Sequence, residues 1–284
     1  MKENQSSLWS ANEGLKRSSE LQKFYKYLNR KGLFKNKLNF KNLWEWSIKN
    51  PEHFWSEIWD FTKIKGIKRG LVLKKNKIFY KNVFFPDTKL NYAENLLRKK
   101  NNEIAISFLS ETGLKKKITW KELYINVCKL SDYFNEINLR EKDRVAAYVP
   151  NSIESIISFL ASSKNGLIWS SCSPDFGAKG VIERFAQITP KILIIADRYF
   201  YNGKEINVIK RLPLILNKIK SIKHVIIINY PEKSFLKFNK SKNVKYINWN
   251  RIMKMNTNKF EFKKFDFEHE LAILYSSGTT GKPK

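Results

Sequence analysis

Apolar positions recur along this chain at two different periods, and the change between them divides it. In the first hundred residues the spacing is helical. Leu21, Phe24, Tyr25 and Leu28 share one face, and Leu43, Trp46 and Ile48 repeat it less cleanly. Trp44, Trp46, Trp55 and Trp59 fall in the same runs and are expected to anchor this arm by burying large rings. The stretch from Phe84 to Leu97 then turns at Pro86 into a further helix. Beyond residue 102, short apolar runs alternate with amphipathic ones. Ile104–Leu109, Ile118–Trp120, Arg144–Val149, Leu167–Trp169, Lys191–Ala196, Val225–Ile228 and Leu271–Tyr275 read as strands. Thr119–Ile137, the segment after Ser152 up to Gly166, Ala178–Ile188 and the region near Val208–Ile219 read as helices. Continuous apolar strands separated by helices predict an α/β fold with a mostly parallel, doubly wound sheet behind an aromatic-rich helical N-terminal arm. Residues 1–98 are expected to form the arm and residues 99–284 the main domain.

Composition adds exclusions. The 284 residues are 42% hydrophobic and 14% aromatic, too apolar for a wholly disordered chain. The N-terminus lacks the apolar stretch of a secretory signal, and the longest apolar region, near Ile156–Trp169, is broken by Ser162, Ser163, Lys164 and Asn165. No membrane partner is therefore expected, and Cys128 and Cys172 suit a reducing cytoplasm because they form neither a metal spacing nor a disulfide framework. The net charge of +28 invites a polyanion-binding reading. The lysines, however, are spread through nearly every segment with an excess of Asn, Ile and Phe, a joint bias of AT-rich coding. No specific nucleic-acid partner follows, and Lys115–Lys117 reads as a solvated turn. His53, His224 and His269 form no triad or metal motif, and His269 is expected at the surface.

The candidate chemistry lies in the last ten residues, Tyr275-Ser276-Ser277-Gly278-Thr279-Thr280-Gly281-Lys282-Pro283-Lys284. Glycines that allow positive φ, hydroxyl and N–H donors and a lysine suit a loop that wraps phosphate oxygens. A buried strand is expected before it, so the loop would leave a strand end, where open α/β sheets bind ligands. It is not the loop of P-loop NTPases. Two residues rather than four separate Gly278 from Gly281, and Pro283 stands at the magnesium-ligand position.

This string resembles the phosphate-binding signature of the adenylate-forming enzymes. Within them, Gly166–Gly177, Gly180–Lys191, Leu90–Leu97 and Leu8-Trp9 are similar to the acetoacetyl-CoA synthetases. The resemblance implies the N-terminal part of the adenylate-forming fold and an AMP-forming acid–thiol ligase using ATP, Mg2+ and CoA. In that chemistry acetoacetate attacks the α-phosphate of ATP, and the CoA thiol then displaces AMP. It further implies that Ser276, Ser277, Gly278, Thr279, Thr280, Gly281 and Lys282 hold the ATP phosphates. Asp197–Lys204 matches a CoA 3′-phosphate region in which Lys204 keeps a positive charge while Tyr201 replaces an arginine. Trp169 reads either as core or as a wall of the acyl or pantetheine tunnel. Ser173, Asp175 and Phe176 share that placement, or Ser173-Pro174-Asp175 caps the next helix. Because members of the family are more than twice as long, the adenine and ribose sites, the acidic magnesium ligand and the catalytic lysine are expected outside these residues. No catalytic residue falls within them, and the chain by itself is expected to be inactive. The other readings are an acetate- or propionate-activating enzyme, or a noncatalytic basic fragment binding polyanions.

Overall fold

A computed structural model describes residues 9–37, 39–230, 238–257 and 260–276. The chain divides into two compact units, Met1–Thr88 and Lys89–Lys284. Among the described residues the first holds four α-helices, Glu13–Ser18, Glu20–Arg30, Phe40–Lys49 and Pro51–Phe61, each but the last begun by an Asn or Ser side chain that accepts from an N–H of the first turn. Phe24, Leu28, Phe34 and Leu43 form its core, with Trp46, Phe54 and Phe61 packed against them. Trp59 is buried against Phe85. Trp44 is not an anchor: it is 51% exposed, in register with exposed Phe40 and Ile48 on the outer face of its helix.

In the second unit a capping box formed by Thr119 and Glu122 opens α1 (Trp120–Glu136), which leads into β1 (Arg144–Tyr148). There follow α2 (Ile153–Lys164), β2 (Ile168–Cys172), α3 (Ala178–Ile188), β3 (Ile192–Ala196), α4 (Leu212–Lys218), β4 (His224–Ile228), β5 (Lys245–Asn248) and α5 (Trp249–Met253). The five strands are parallel throughout, in the order β5-β4-β3-β1-β2. α1, α2 and α5 pack together in one helical layer and α3 with α4 in another. This is the doubly wound arrangement expected from sequence, with the reversal of winding between β1 and β3. β3, in the middle of the sheet, is fully buried along Ile192–Ala196, as a strand covered on both faces requires.

Ile104–Leu109 stays outside that sheet. It pairs antiparallel with Lys115–Thr119, so the lysines expected in a turn lie in a strand and residues 110–114 make the turn. Alternating burial explains the difference: Lys115 and Lys117 face solvent, while Lys116 reaches the Glu154 carboxylate at 3.9 Å. Between β3 and α4 the chain inserts another hairpin, Arg198–Tyr201 with Lys204–Asn207. Its Asn202-Gly203 turn has φ of 50° and 72°, the pair of positive values that a tight twisted hairpin demands.

Gly166 ends α2 at φ +67°, and a β-carbon there would sit 2.5 Å from the Phe265 ring. Its carbonyl accepts from Lys142 N (2.8 Å) and faces His269 Nε2 (2.9 Å). His269 is accordingly no surface residue. Its side chain is 11% exposed and stacks on Phe265, because the glycine leaves room for both rings. Gly166→Ala is expected to cost about 2–4 kcal/mol, combining left-handed strain with displacement of Phe265, read as a lowered thermal midpoint.

Candidate functional site

Beyond the carboxyl ends of β1, β2 and β3 lies a cleft of about 480 Å³. Each strand contributes the residues that follow it: Pro150 and Asn151 after β1, Ser173 and Asp175 after β2, Tyr199 and Tyr201 after β3. It straddles the point where the winding reverses, the position at which open α/β sheets form ligand crevices. Phe159 and Trp169 make its apolar wall, their rings 6.1 Å apart and steeply inclined. Trp169 is 7% exposed, so it belongs to the core and also faces the cleft.

Two internal locks shape this cleft. Tyr148, fully buried at the end of β1, donates its hydroxyl to the Phe176 carbonyl and accepts from Arg211. Arg211 Nη1 also reaches the carbonyls of Pro174 (2.9 Å) and Phe176 (3.0 Å), pinning the loop after β2. Burial raises the Tyr148 pKa, against the opposing hydrogen bond from Arg211, so the phenol stays a neutral donor. Tyr148→Phe should cost about 1 kcal/mol, because the phenol's hydrogen bonds are lost while Arg211 still serves the Pro174 and Phe176 carbonyls; comparison of thermal midpoints checks this. At the end of β3 the Asp197 carboxylate accepts from Arg198 (3.1 Å), Asn229 Nδ2 (3.1 Å) and Tyr230 N (3.0 Å).

The expected site residues sit as follows. Asp175 accepts from Ser173 Oγ at 2.6 Å, and its N–H faces that same oxygen at 3.4 Å, a local turn at the cleft rim. It also hydrogen-bonds Tyr199, whose pKa is raised first by burial and then by this contact. Lys204 is exposed at the hairpin tip, opposite Tyr201 in register. Sequence reasoning missed Glu111, whose carboxylate accepts from the N–H groups of Asn202 (3.1 Å) and Gly203 (2.7 Å) and fastens that tip to the 110–114 turn. The Asn-Gly pair was the available signal for the hairpin; nothing local marked Glu111, which lies 91 residues from Asn202.

Leu271–Tyr275 is not the buried strand expected. It runs parallel beside β2 through one bridge, Trp169 with Ala272, held by Trp169 N to Leu271 O (3.1 Å) and Ile273 N to Trp169 O (2.8 Å). Leu274 is 83% exposed. The segment lies on the outer edge of an edge strand and has no further strand beyond it among the described residues, so half of its surface stays uncovered. Its direction still matters: running parallel to β2, it delivers Tyr275 and Ser276 to the carboxyl side of the sheet, the side of the cleft. Ser277, Gly278, Thr279, Thr280, Gly281 and Lys282 lie outside the described residues. Cys128 and Cys172 are buried free thiols with pKa pushed up to about 11, first by burial, which makes them poor nucleophiles. Among the described residues no three His, Cys, Asp or Glu side chains converge as a metal site would require. No helix among them is long and apolar enough to cross a membrane.

Residues 93–284 match the model of the AMP-binding enzyme family. The chain belongs to that family. Acetoacetyl-coenzyme A synthetase of Rhizobium meliloti strain 1021 is 36% identical over 241 residues, covering 84% of this chain and 36% of that protein. Acetoacetyl-CoA synthetase of Macaca fascicularis is 34% identical over 254 residues, 87% of this chain and 38% of its own length. The solved acetoacetyl-CoA synthetase of Streptomyces lividans superposes with a TM-score of 0.90 at 26% identity, over 98% of this chain and 42% of that one. The chain thus spans about two fifths of the length of these AMP-binding relatives, and its fold is that of the matching part of the Streptomyces enzyme.

Proposed function

We propose that this chain contributes the phosphate-binding and CoA-facing part of an AMP-forming acetoacetate–CoA ligase. The observation that carries the reading is the parallel bridge at Trp169. It brings Tyr275 and Ser276 out on the carboxyl side of the sheet, the side of the cleft at the winding reversal, and the Ser277–Lys282 string follows them in sequence. In the first half-reaction an acetoacetate oxygen attacks the α-phosphate of ATP and pyrophosphate leaves. The loop's N–H groups, hydroxyls and Lys282 would neutralise the charge growing on the β- and γ-phosphates. In the second, the CoA thiol displaces AMP. The cleft suits the CoA side of this reaction, with Trp169 and Phe159 as the apolar wall for a pantetheine arm and Lys204, the register partner of cleft-lining Tyr201, for a phosphate. Magnesium accompanies ATP in this chemistry, and its acidic protein ligand is expected outside these residues. The buried, unpaired thiols fit a cytoplasmic setting.

Acyl preference separates acetoacetate from the acetate and propionate readings. A chimera joining the remaining part of the Rhizobium meliloti enzyme after Lys284 should catalyse ATP–pyrophosphate exchange with acetoacetate and much less with acetate or propionate. A folded chimera without acetoacetate-dependent exchange would remove this assignment.

A further inference from the structure

The first unit carries an exposed feature with no part in adenylation chemistry. Leu73–Lys74 and Val83–Phe84 pair antiparallel and project a loop. Within it Phe79–Lys81 makes one 3₁₀ turn. Side-chain and backbone bonds set its shape: Asn76 N donates to Asn82 Oδ1 (2.7 Å), Ile78 N to Asn76 Oδ1 (2.9 Å), and Lys81 N to Ile78 O (2.9 Å). On this built support Phe79 is 87% exposed, Tyr80 81% and Ile78 43%. Lys74, Lys75, Lys77 and Lys81 surround the apex, and no acidic residue occurs from Gly70 to Pro86. Lys75 meets Glu52 of the same unit at 3.4 Å, both side chains more than half exposed.

Large rings presented to water on a preformed turn are costly unless something covers them. We propose that the Ile78–Tyr80 apex inserts reversibly into the headgroup region of an anionic phospholipid surface, with the four lysines as its collar. Tyr is suited to that interface, where one end of its ring is apolar and the other wet, and Phe adds apolar area to bury. The lysines supply the attraction that a negatively charged leaflet offers to clustered cations. The convex geometry favours a plane over a strand of nucleic acid. Single-strand binding uses a groove that follows the backbone past successive stacking rings, whereas two adjacent rings at an apex offer no such track. The contact is peripheral, since no helix among the described residues is long and apolar enough to cross a membrane, and it departs from the expectation of no membrane partner.

The diffuse charge of this chain will attract anionic vesicles by itself, so the deciding variant, in the two rings, holds charge constant. Co-sedimentation of the full chain is measured with phosphatidylcholine vesicles, with and without phosphatidylserine, at physiological salt. Binding should require phosphatidylserine, and Phe79→Ser with Tyr80→Ser should weaken it roughly tenfold or more, since the apolar contribution of two rings is lost. Lys77→Glu with Lys81→Glu should weaken it comparably. The circular dichroism of both variants should match the parent, because every altered side chain is solvent-facing. Unchanged sedimentation of the ring variant overturns the proposal, as does a parent chain that ignores phosphatidylserine vesicles. Loss of single-stranded oligonucleotide binding with vesicle binding intact overturns it in favour of base stacking.

Discussion

Asp197→Ala should lower the stability of the second unit by about 3–5 kcal/mol, the range for removing one partner of a buried ion pair. The Asp197 side chain is 1% exposed and that of Arg198 4%. The carboxylate accepts from the Arg198 guanidinium, the Asn229 amide and the Tyr230 backbone N–H. Alanine leaves the Arg198 guanidinium and the Tyr230 N–H buried without this acceptor and the half-buried Asn229 amide without it as well. Arg198 keeps its 3.1 Å contact to Glu205, whose side chain is 35% exposed and so already shared with water. Calorimetry should place the loss on the second unit as a fall of roughly 6–20 °C in its midpoint. The first unit should unfold as before, which a single overall free energy would conceal. Arg198→Met should cost less than Asp197→Ala, because the carboxylate retains its other two donors. Equal midpoints for Asp197→Ala and parent would show that the knot contributes nothing.

That knot also shows where sequence reading stops. The strands β1, β3 and β4 were legible because both faces are covered, leaving apolar runs such as Ile192–Ala196 with no competing interpretation. α1 was legible from the period of Leu123, Val127, Leu130 and Phe134, and α2 from its start after Ser152 and its stop at Gly166. Asp197 was not, since its partners at Arg198, Asn229 and Tyr230 come together only once β3 and β4 are aligned in register. Tyr148 and Arg211 are likewise 63 residues apart and meet through the loop after β2. The edge segment misled for the opposite reason. Leu271–Tyr275 has the composition of a core strand, but composition does not record whether a neighbour covers each side. The placement of His269 depends on the missing side chain of Gly166, a contact between distant segments that no local pattern contains. Of the candidate site, the string of residue types was evident from sequence, while the direction of the segment before it, Leu271–Ser276, required the bridge at Trp169.

Thr279→Ala with Lys282→Ala, introduced into the completed chimera, should reduce acetoacetate-dependent pyrophosphate exchange by at least a hundredfold. Loss of a single preorganised donor to developing charge costs about 10²–10³ in rate, and here a hydroxyl and a full positive charge disappear together. The effect has to be local to bear on the site. In a chain of net charge +28, removing one lysine hardly alters the overall field, and charges beyond about 8 Å are screened at physiological salt. Lys142→Ala supplies the matched control. That side chain is 58% exposed and pairs with Glu270 at 3.2 Å, on the segment just before the edge bridge, so its loss removes one charge while sparing the proposed donors. Exchange should persist in the control and collapse in the double variant. Collapse in both would point to damage of the Glu270–Ile273 segment, and persistence in both would leave the Gly/Thr string a turn without chemistry.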